Sequence, residues 1–165
     1  MSFNEDKSEI FHIGYQNTKA SYTMNGTRLK NVEREQDLGV TISNDLKPSH
    51  QCSEAVKKAN KIIVLIGRSF EHKTKEVILT LYNSLVRPHL EYCVQAWSPY
   101  YKKRYKKIER LKRRVTKMIP SLRKKSYKER SKELSVFSLT QRRLRGDLIQ
   151  VFKTMKNIDN MDYYK

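Results

Sequence analysis

Residues 102–145 hold the side chains whose number and spacing suit a chemical task, the binding of a polyanion. They include 19 lysines and arginines against 3 acidic residues, a net charge of +16. The complete chain of 165 residues carries +18, so the basicity is concentrated in this part. Because repulsion between like charges destabilises a compact chain, a surface this basic indicates an anionic partner, and nucleic acid is the first expectation.

One predicted helix in this stretch separates apolar from basic residues. Five side chains recur three or four positions apart and predict its inward face. They are Tyr105, Ile108, Leu111, Val115 and Met118. Five basic residues on the other faces are expected to carry much of the binding to phosphates. They are Lys106, Lys107, Arg110, Arg113 and Arg114.

Three tyrosines beside this helix have two open interpretations. Tyr100, Tyr101 and Tyr105 lie among the lysines, where aromatic rings can stack on bases or sugars. The alternative is that some of them pack against the apolar core near Trp97.

Two capping-box pairs predict helix starts in the basic part, Ser126 with Glu129 and Ser138 with Gln141. In such a pair each residue satisfies a free backbone amide of the other. The second pair would open a last helix over residues 139–157. Apolar spacing predicts the inner face of that helix. Its members are Leu144, Leu148, Val151, Phe152 and Met155.

Arginines crowd the beginning of this last helix, at Arg142, Arg143 and Arg145. Cations at a helix N-terminus oppose the helix dipole. This conflict indicates an anionic ligand at Arg142 and Arg143, and a solvated arginine cluster is the alternative.

No catalytic or metal-binding constellation is evident. His50 with Cys52, and His89 with Cys93, have spacings that a metal site can use, but no paired CxxC spacing and no carboxylate cluster accompany them. The sequence contains neither GxSxG nor a glycine-rich phosphate loop. We therefore predict no metal ion and no cofactor for this chain.

Composition also indicates the cellular compartment of the protein. Cys52 and Cys93 fit free thiols in a reducing compartment. No apolar run approaches the roughly 18 residues that a membrane span needs, and residues 1–10 lack the pattern of a secretory signal. We expect an intracellular protein without a membrane partner. The basic residues 122–132 fit either a nuclear localisation signal or a solvated face.

The residue types of the N-terminal part predict β-strands. Residues 10–15 and 21–24 are rich in β-branched and aromatic types, and Asn25-Gly26 predicts a two-residue hairpin turn. A further strand is predicted over residues 38–43 after a charged connection. Gly39 inside it indicates a bulge or a close backbone approach.

Helical periodicity begins at Pro48. The first helix has an inward stripe, which consists of Val56, Ala59, Ile62, Ile63, Ile66 and Phe70. Residues 75–97 continue the pattern, and Pro88 predicts a kink or break there because proline lacks the amide that a helix needs. The predicted fold is α+β, a small N-terminal antiparallel hairpin or sheet followed by a mainly α-helical bundle.

Eight sequence strings resemble, in this order, the C-terminal end of reverse transcriptases from jockey-like non-LTR retrotransposons. They cover almost the whole chain, and the strings LVRPHLEYCVQAWSP and RRLRGDLI are long and specific. The eight strings are FNEDK, EIFHIG, YTMNGTRL, DLGVTIS, ILTLYNSLVRPHLEYCVQAWSP, RRVTKMIPSLR, SYKERSKEL and SLTQRRLRGDLIQVFK.

The resemblance implies a division of the chain into polymerase parts. Residues 1–46 would be the end of the palm with a primer-grip-like hairpin, residues 47–120 a thumb-like helical bundle, and residues 121–165 basic C-terminal helices. The family's metal-binding aspartates have no counterpart here, so two divalent metal ions are expected only in the intact polymerase.

The resemblance also implies roles for a few residues. Lys7 aligns with a palm lysine thought to help pyrophosphate leave, and Ser8 stands where many relatives have cysteine. A primer-grip-like turn would be formed by Asp37, Leu38, Gly39 and Val40. An ordinary strand start is the alternative for these four.

Two classes of function follow. The first is a polymerase fragment that binds an RNA/DNA template-primer, together with the missing palm and fingers, but does not catalyse synthesis alone. The second is a domesticated transposon remnant that acts as a protein-interaction or self-association module. We expect the first class to locate to the nucleus.

Overall fold

The computed structural model describes residues 4–98, 102–135 and 139–158. Short strands form the N-terminal part, and helices follow, which confirms the α+β class. The strands are β1 (Glu9–Phe11), β2 (Thr23–Met24), β3 (Thr27–Arg28), β4 (Lys30–Val32), β5 (Arg34–Asp37) and β6 (Val40–Ser43). The helices are α1 (Ser49–Ser69), α2 (Lys75–Leu81), α3 (Arg87–Glu91), α4 (Val94–Trp97), α5 (Lys102–Lys117), α6 (Tyr127–Glu133) and α7 (Leu139–Met155).

The first hairpin forms where the sequence predicts it. β2 and β3 pair antiparallel around Asn25-Gly26, whose φ angles of 49° and 86° suit a two-residue hairpin turn. A second pairing was not predicted: β1 and β4 run parallel, with Glu9 opposite Lys30. Short strands that lie far apart in the sequence leave no local signal of their partner.

The second hairpin joins β5 and β6, with Asp37 opposite Val40. Its turn consists of Leu38 and Gly39, which have φ angles of 45° and 79°. The prediction of Gly39 as a residue inside a strand is therefore wrong, because two consecutive positive φ angles place it in a two-residue turn. β5 was missed because all four of its residues are exposed and no apolar alternation marks it.

The core lies between α1 and the helices that follow. Phe70 lies just after α1 and is 38% exposed. The buried residues of α1 are Gln51, Cys52, Ala55, Ala59, Ile63 and Ile66. The buried face of α1 packs against α3 and α5. The Gln51 side chain also accepts a hydrogen bond from the Thr41 amide at 2.8 Å, which ties β6 to the start of α1.

In residues 75–97 the helix is not broken at Pro88, where the sequence predicted a kink or a break. A π-helical segment (Tyr82–Val86) joins α2 to α3, and Pro88 lies in the first turn of α3, where a missing amide costs little. The chain breaks instead at Tyr92 and Cys93, where Cys93 has a φ angle of 49°. The predicted break at Pro88 is therefore wrong, because the helix continues through a wider π turn that accommodates the proline.

The inward face of α5 matches the prediction. Ile108, Leu111 and Val115 are buried, and Tyr105 and Met118 are partly buried. A capping box opens α6, as predicted: the Ser126 hydroxyl accepts from the Glu129 amide, and the Glu129 carboxylate accepts from the Ser126 amide at 2.7 Å. The second predicted box includes Ser138, which lies outside the described residues.

The predicted inner face of α7 is not buried. Its five apolar residues are between 55% and 80% exposed, and they are Leu144, Leu148, Val151, Phe152 and Met155. Helical spacing identifies residues that share a face, but it does not show whether another element covers that face. Among the residues that the structure describes, none of the helices is both long and apolar enough to cross a membrane.

Candidate nucleic-acid interface

The outer side of α5 forms a row of exposed cations, which we call the α5 basic face. It consists of Lys106, Lys107, Arg110, Arg113 and Arg114, all of them exposed. Within the described part of the chain, none of the five forms an ion pair. From Lys106 to Arg114 the helix rises ~12 Å, which spans three or four phosphates along one strand of a duplex. The sequence-predicted set is thus brought together on one surface.

Two residues of this face are positioned by neighbours. The Arg114 guanidinium donates to Asn60 Oδ1 on α1 at 2.6 Å, and the Arg113 guanidinium lies 4.7 Å from the centre of the Tyr127 ring on α6. The Tyr127 hydroxyl donates to the Glu109 carboxylate. Burial, and then this hydrogen bond, raise the pKa of Tyr127 to about 12, so the hydroxyl remains a donor at neutral pH.

The basic face continues into a concave site where α5 meets α6, which we call the α5–α6 pocket. Its volume is about 600 Å³. It is lined by Arg110, Arg113, Arg114, Lys117, Arg123, Lys125, Ser126, Tyr127 and Arg130. Sequence reasoning missed Lys117, Arg123, Lys125 and Arg130 as site residues. The first lies one turn beyond Arg113 on α5, a spacing that could have identified it.

A buried polar cluster lies on the opposite side of α5. Lys112 is only 1% exposed, although its position in the basic run suggested solvent. Burial lowers the pKa of its ammonium group, while Glu109 and Glu91 oppose that shift. Burial also raises the pKa of the neighbouring Tyr82. Lys112 therefore belongs to the interior and does not contribute to the basic face.

Arg142 and Arg143 lie apart from the α5 basic face. Arg142 forms a two-pronged ion pair with Glu91, at 2.7 Å and 3.3 Å, and Glu91 also pairs with Arg87. Arg143 is 3% exposed and donates to the Leu90 carbonyl at 2.9 Å. Both residues thus fasten α7 to α3, and the structure leaves Arg143 no surface on which to meet a phosphate.

The structure shows whether the described aromatic residues near α5 pack against the core or face outward. The Arg143 guanidinium lies 4.9 Å from the Trp97 ring and 5.9 Å from the Tyr105 ring. Tyr105 therefore packs beside the core, which agrees with the packing alternative. Tyr100 and Tyr101 lie outside the described residues.

The residues assigned by resemblance to the palm lie in the N-terminal part. Lys7 ends a short 3-10 turn (Glu5–Lys7) and is exposed. Asp37, Leu38, Gly39 and Val40 form the tip of the β5–β6 hairpin. The Tyr92 hydroxyl donates to the Leu38 carbonyl at 2.8 Å, which fixes this tip against the end of α3.

The described residues contain no group of three or more His, Cys, Asp or Glu side chains placed to hold a metal ion. Comparisons with protein families, with curated proteins and with solved structures each find no match. The function must therefore be inferred from the charge, the geometry and the sequence strings of the chain itself.

Proposed function

We propose that this chain is the palm-end and thumb-like part of an RNA-directed DNA polymerase from a non-LTR retrotransposon, and that it holds template-primer nucleic acid on the α5 basic face. One observation carries the binding role: five exposed cations lie on one face of α5 without an ion-pair partner among the described residues. The resemblance of the sequence strings supports the polymerase origin.

The binding would be independent of sequence. Lysine and arginine on a helix contact backbone phosphates and so fix the position of a duplex without reading its bases. Since Asn60 and Tyr127 hold two of the guanidiniums in place, part of the side-chain entropy cost of binding is met before the duplex arrives.

The palm-derived residues would act only with the rest of the polymerase. A tight turn at Asp37, Leu38, Gly39 and Val40 suits support of a primer terminus, and Lys7 would serve the leaving pyrophosphate. The two divalent metal ions would be held by aspartates of the intact polymerase. This chain alone would bind template-primer without extending it. Location in the nucleus fits this role, and the exposed Lys124, Lys128 and Lys132 would suit an import signal.

The exposed apolar face of α7 favours a second candidate function, self-association of a domesticated transposon remnant. Leu144, Leu148, Val151 and Met155 are spaced by four, three and four residues, which is the spacing of a coiled-coil seam. Two copies of α7 could bury these faces against each other. Sedimentation of the purified chain with and without nucleic acid separates the candidates, since self-association predicts a dimer in the absence of nucleic acid.

The test of the binding role compares two charge-matched triple variants. Lys106→Gln/Lys107→Gln/Arg110→Gln removes three cations from the basic face, and Arg28→Gln/Lys30→Gln/Arg34→Gln removes three from the N-terminal strands. We expect the first variant to weaken binding to a labelled RNA/DNA hybrid about tenfold or more, and the second to weaken it much less. Equal losses would contradict the assignment to α5.

A further inference from the structure

The α5–α6 pocket has an unusual balance of charge. Of its nine lining residues that the structure describes, seven are lysine or arginine and none is acidic. Three carboxylates lie beside the pocket, and each has a partner: Glu133 pairs with Lys125 at 2.5 Å, Glu109 accepts from the Tyr127 hydroxyl, and Glu129 accepts from the Ser126 amide at 2.7 Å. A concave site that gathers cations without a carboxylate on its wall concentrates positive potential in a small volume.

Arg130 is a second, independent indication of an anion. Its side chain lines the pocket but is only 3% exposed. One guanidinium nitrogen donates to the Lys125 carbonyl at 2.9 Å, whereas Nε is buried without a hydrogen-bond partner. Arg130 has no ion pair with a described residue. A buried guanidinium without a counter-charge is costly, and the charge of an anion in the pocket beside it would lower that cost.

The guanidiniums around the pocket are held in place. Two guanidiniums lie near the Tyr127 ring, with the central carbons of Arg113 and Arg130 at 4.7 Å and 6.0 Å from its centre. The capping box of Ser126 and Glu129 fixes the first turn of α6 beside them. Planar guanidiniums that are already oriented can donate two hydrogen bonds to one phosphate at little entropic cost.

We propose that the α5–α6 pocket is a binding site for a multiply charged phosphate group, either a terminal phosphate monoester or a short polyphosphate. An internal phosphodiester carries one negative charge, and a strand must leave it in two directions. A terminal group carries more charge and enters from one side, which suits a concave site where six of the seven described cations form no ion pair with a described residue. This inference deepens the proposed function, because a strand that follows the α5 basic face would meet the pocket at the end of α5.

The first test compares two RNA/DNA hybrids that differ only in a 5′-phosphate or a 5′-hydroxyl, with tripolyphosphate titrated alone by calorimetry. We expect a preference of about tenfold for the phosphorylated end, as for one added charge-assisted contact, or measurable binding of tripolyphosphate. Tighter binding of the phosphorylated hybrid assigns the pocket to strand ends, and tighter binding of tripolyphosphate assigns it to free polyphosphate. Equal affinity for the two hybrids together with no tripolyphosphate binding would overturn the proposal.

A charge-matched pair of variants separates the pocket from the basic face. Lys117→Gln/Arg123→Gln alters two exposed residues of the pocket and should abolish the end preference and the tripolyphosphate binding. Lys106→Gln/Lys107→Gln alters two residues of α5 outside the pocket and should weaken both hybrids equally while retaining the preference. If both variants lowered tripolyphosphate binding alike, the anion would be bound by general charge and the proposal would fail.

The same measurements distinguish this proposal from the proposed function. Tripolyphosphate binding that is lost only in Lys117→Gln/Arg123→Gln would support the pocket even if the chain did not bind hybrid. Strong hybrid binding without an end preference or tripolyphosphate binding would keep the proposed function and contradict the pocket. Thermal melting of each variant establishes that it is folded.

Discussion

At the scale of single residues, three described cations in the basic part of the chain are interior residues, and they are Lys112, Arg130 and Arg143. Arg143 donates to the Leu90 carbonyl, and its guanidinium lies 4.9 Å from the Trp97 ring and 5.9 Å from the Tyr105 ring. Lys112 is buried against the polar cluster of α5. Long basic side chains can contribute through their packing as well as through their charge. Charge alone therefore overstates the number of phosphate-binding residues.

Replacement of Arg143 separates packing from binding. Arg143→Ala leaves the Leu90 carbonyl without this donor and a void beside two rings, so we expect the free energy of unfolding to fall by about 2–4 kcal/mol. Arg145 is exposed, so Arg145→Ala serves as the control and should change the free energy of unfolding by less than about 0.5 kcal/mol. Urea denaturation measures both, and equal small effects would contradict a structural role for Arg143.

Lys112 predicts a pH dependence of stability. Its pKa is lowered in the folded chain, so the unfolded chain binds the proton more tightly. This contribution destabilises the fold below the folded pKa and disappears as the pH rises towards 10.5, the ordinary lysine value. We expect Lys112→Met to show a smaller rise in stability than the parent between pH 8 and pH 10.5. Urea denaturation across that range tests it, and parallel curves would contradict it.

At the scale of elements, sequence periodicity located most helices but not what surrounds them. The stripe on α1 is buried because α3 and α5 cover it. A stripe of the same spacing on α7 stays exposed. Periodicity is a property of one segment, whereas burial depends on a partner. For the same reason the α5–α6 pocket was not predicted, since α6 residues complete it and their inward position follows from packing.

Residues that tolerate positive φ angles predicted a turn more reliably than periodicity predicted burial. Asn25-Gly26 specified its hairpin because both residues tolerate positive φ angles. The pair Leu38-Gly39 did not predict the second hairpin turn, because leucine rarely adopts a positive φ angle. The turn there is nevertheless fixed by the pairing of Asp37 with Val40 and by the hydrogen bond from Tyr92.

The two glycines Gly39 and Gly146 should respond in opposite directions to alanine. A Cβ at Gly39 would have room, 3.6 Å from a Tyr92 ring carbon, but its φ angle is +79°, so we expect a loss of about 1 kcal/mol. A Cβ at Gly146 within α7 would meet nothing within 4 Å, so we expect a gain of up to ~1 kcal/mol. Thermal melting of both variants tests this, and stabilisation by Gly39→Ala would contradict the positive-φ turn.

At the scale of the whole molecule, charge is segregated along the chain. Residues 102–145 carry +16 of the total of +18, while α1, which contacts β6 at its start, supplies the surface against which α5 packs. This division suits a protein in which one part of the chain stabilises the fold and another part binds a polyanion. The proposed role as a polymerase thumb would require the same division.

The most direct measurement of the central claim is binding of the purified chain to a labelled RNA/DNA hybrid across a salt series. Each neutralised phosphate contributes about −0.9 to the slope of log K against log salt on duplex DNA. If each of the five cations on the α5 basic face neutralises one phosphate, we expect a slope of about −4.5 and a preference for the hybrid over single-stranded RNA. Weak binding at low salt, or a slope near zero, would contradict it.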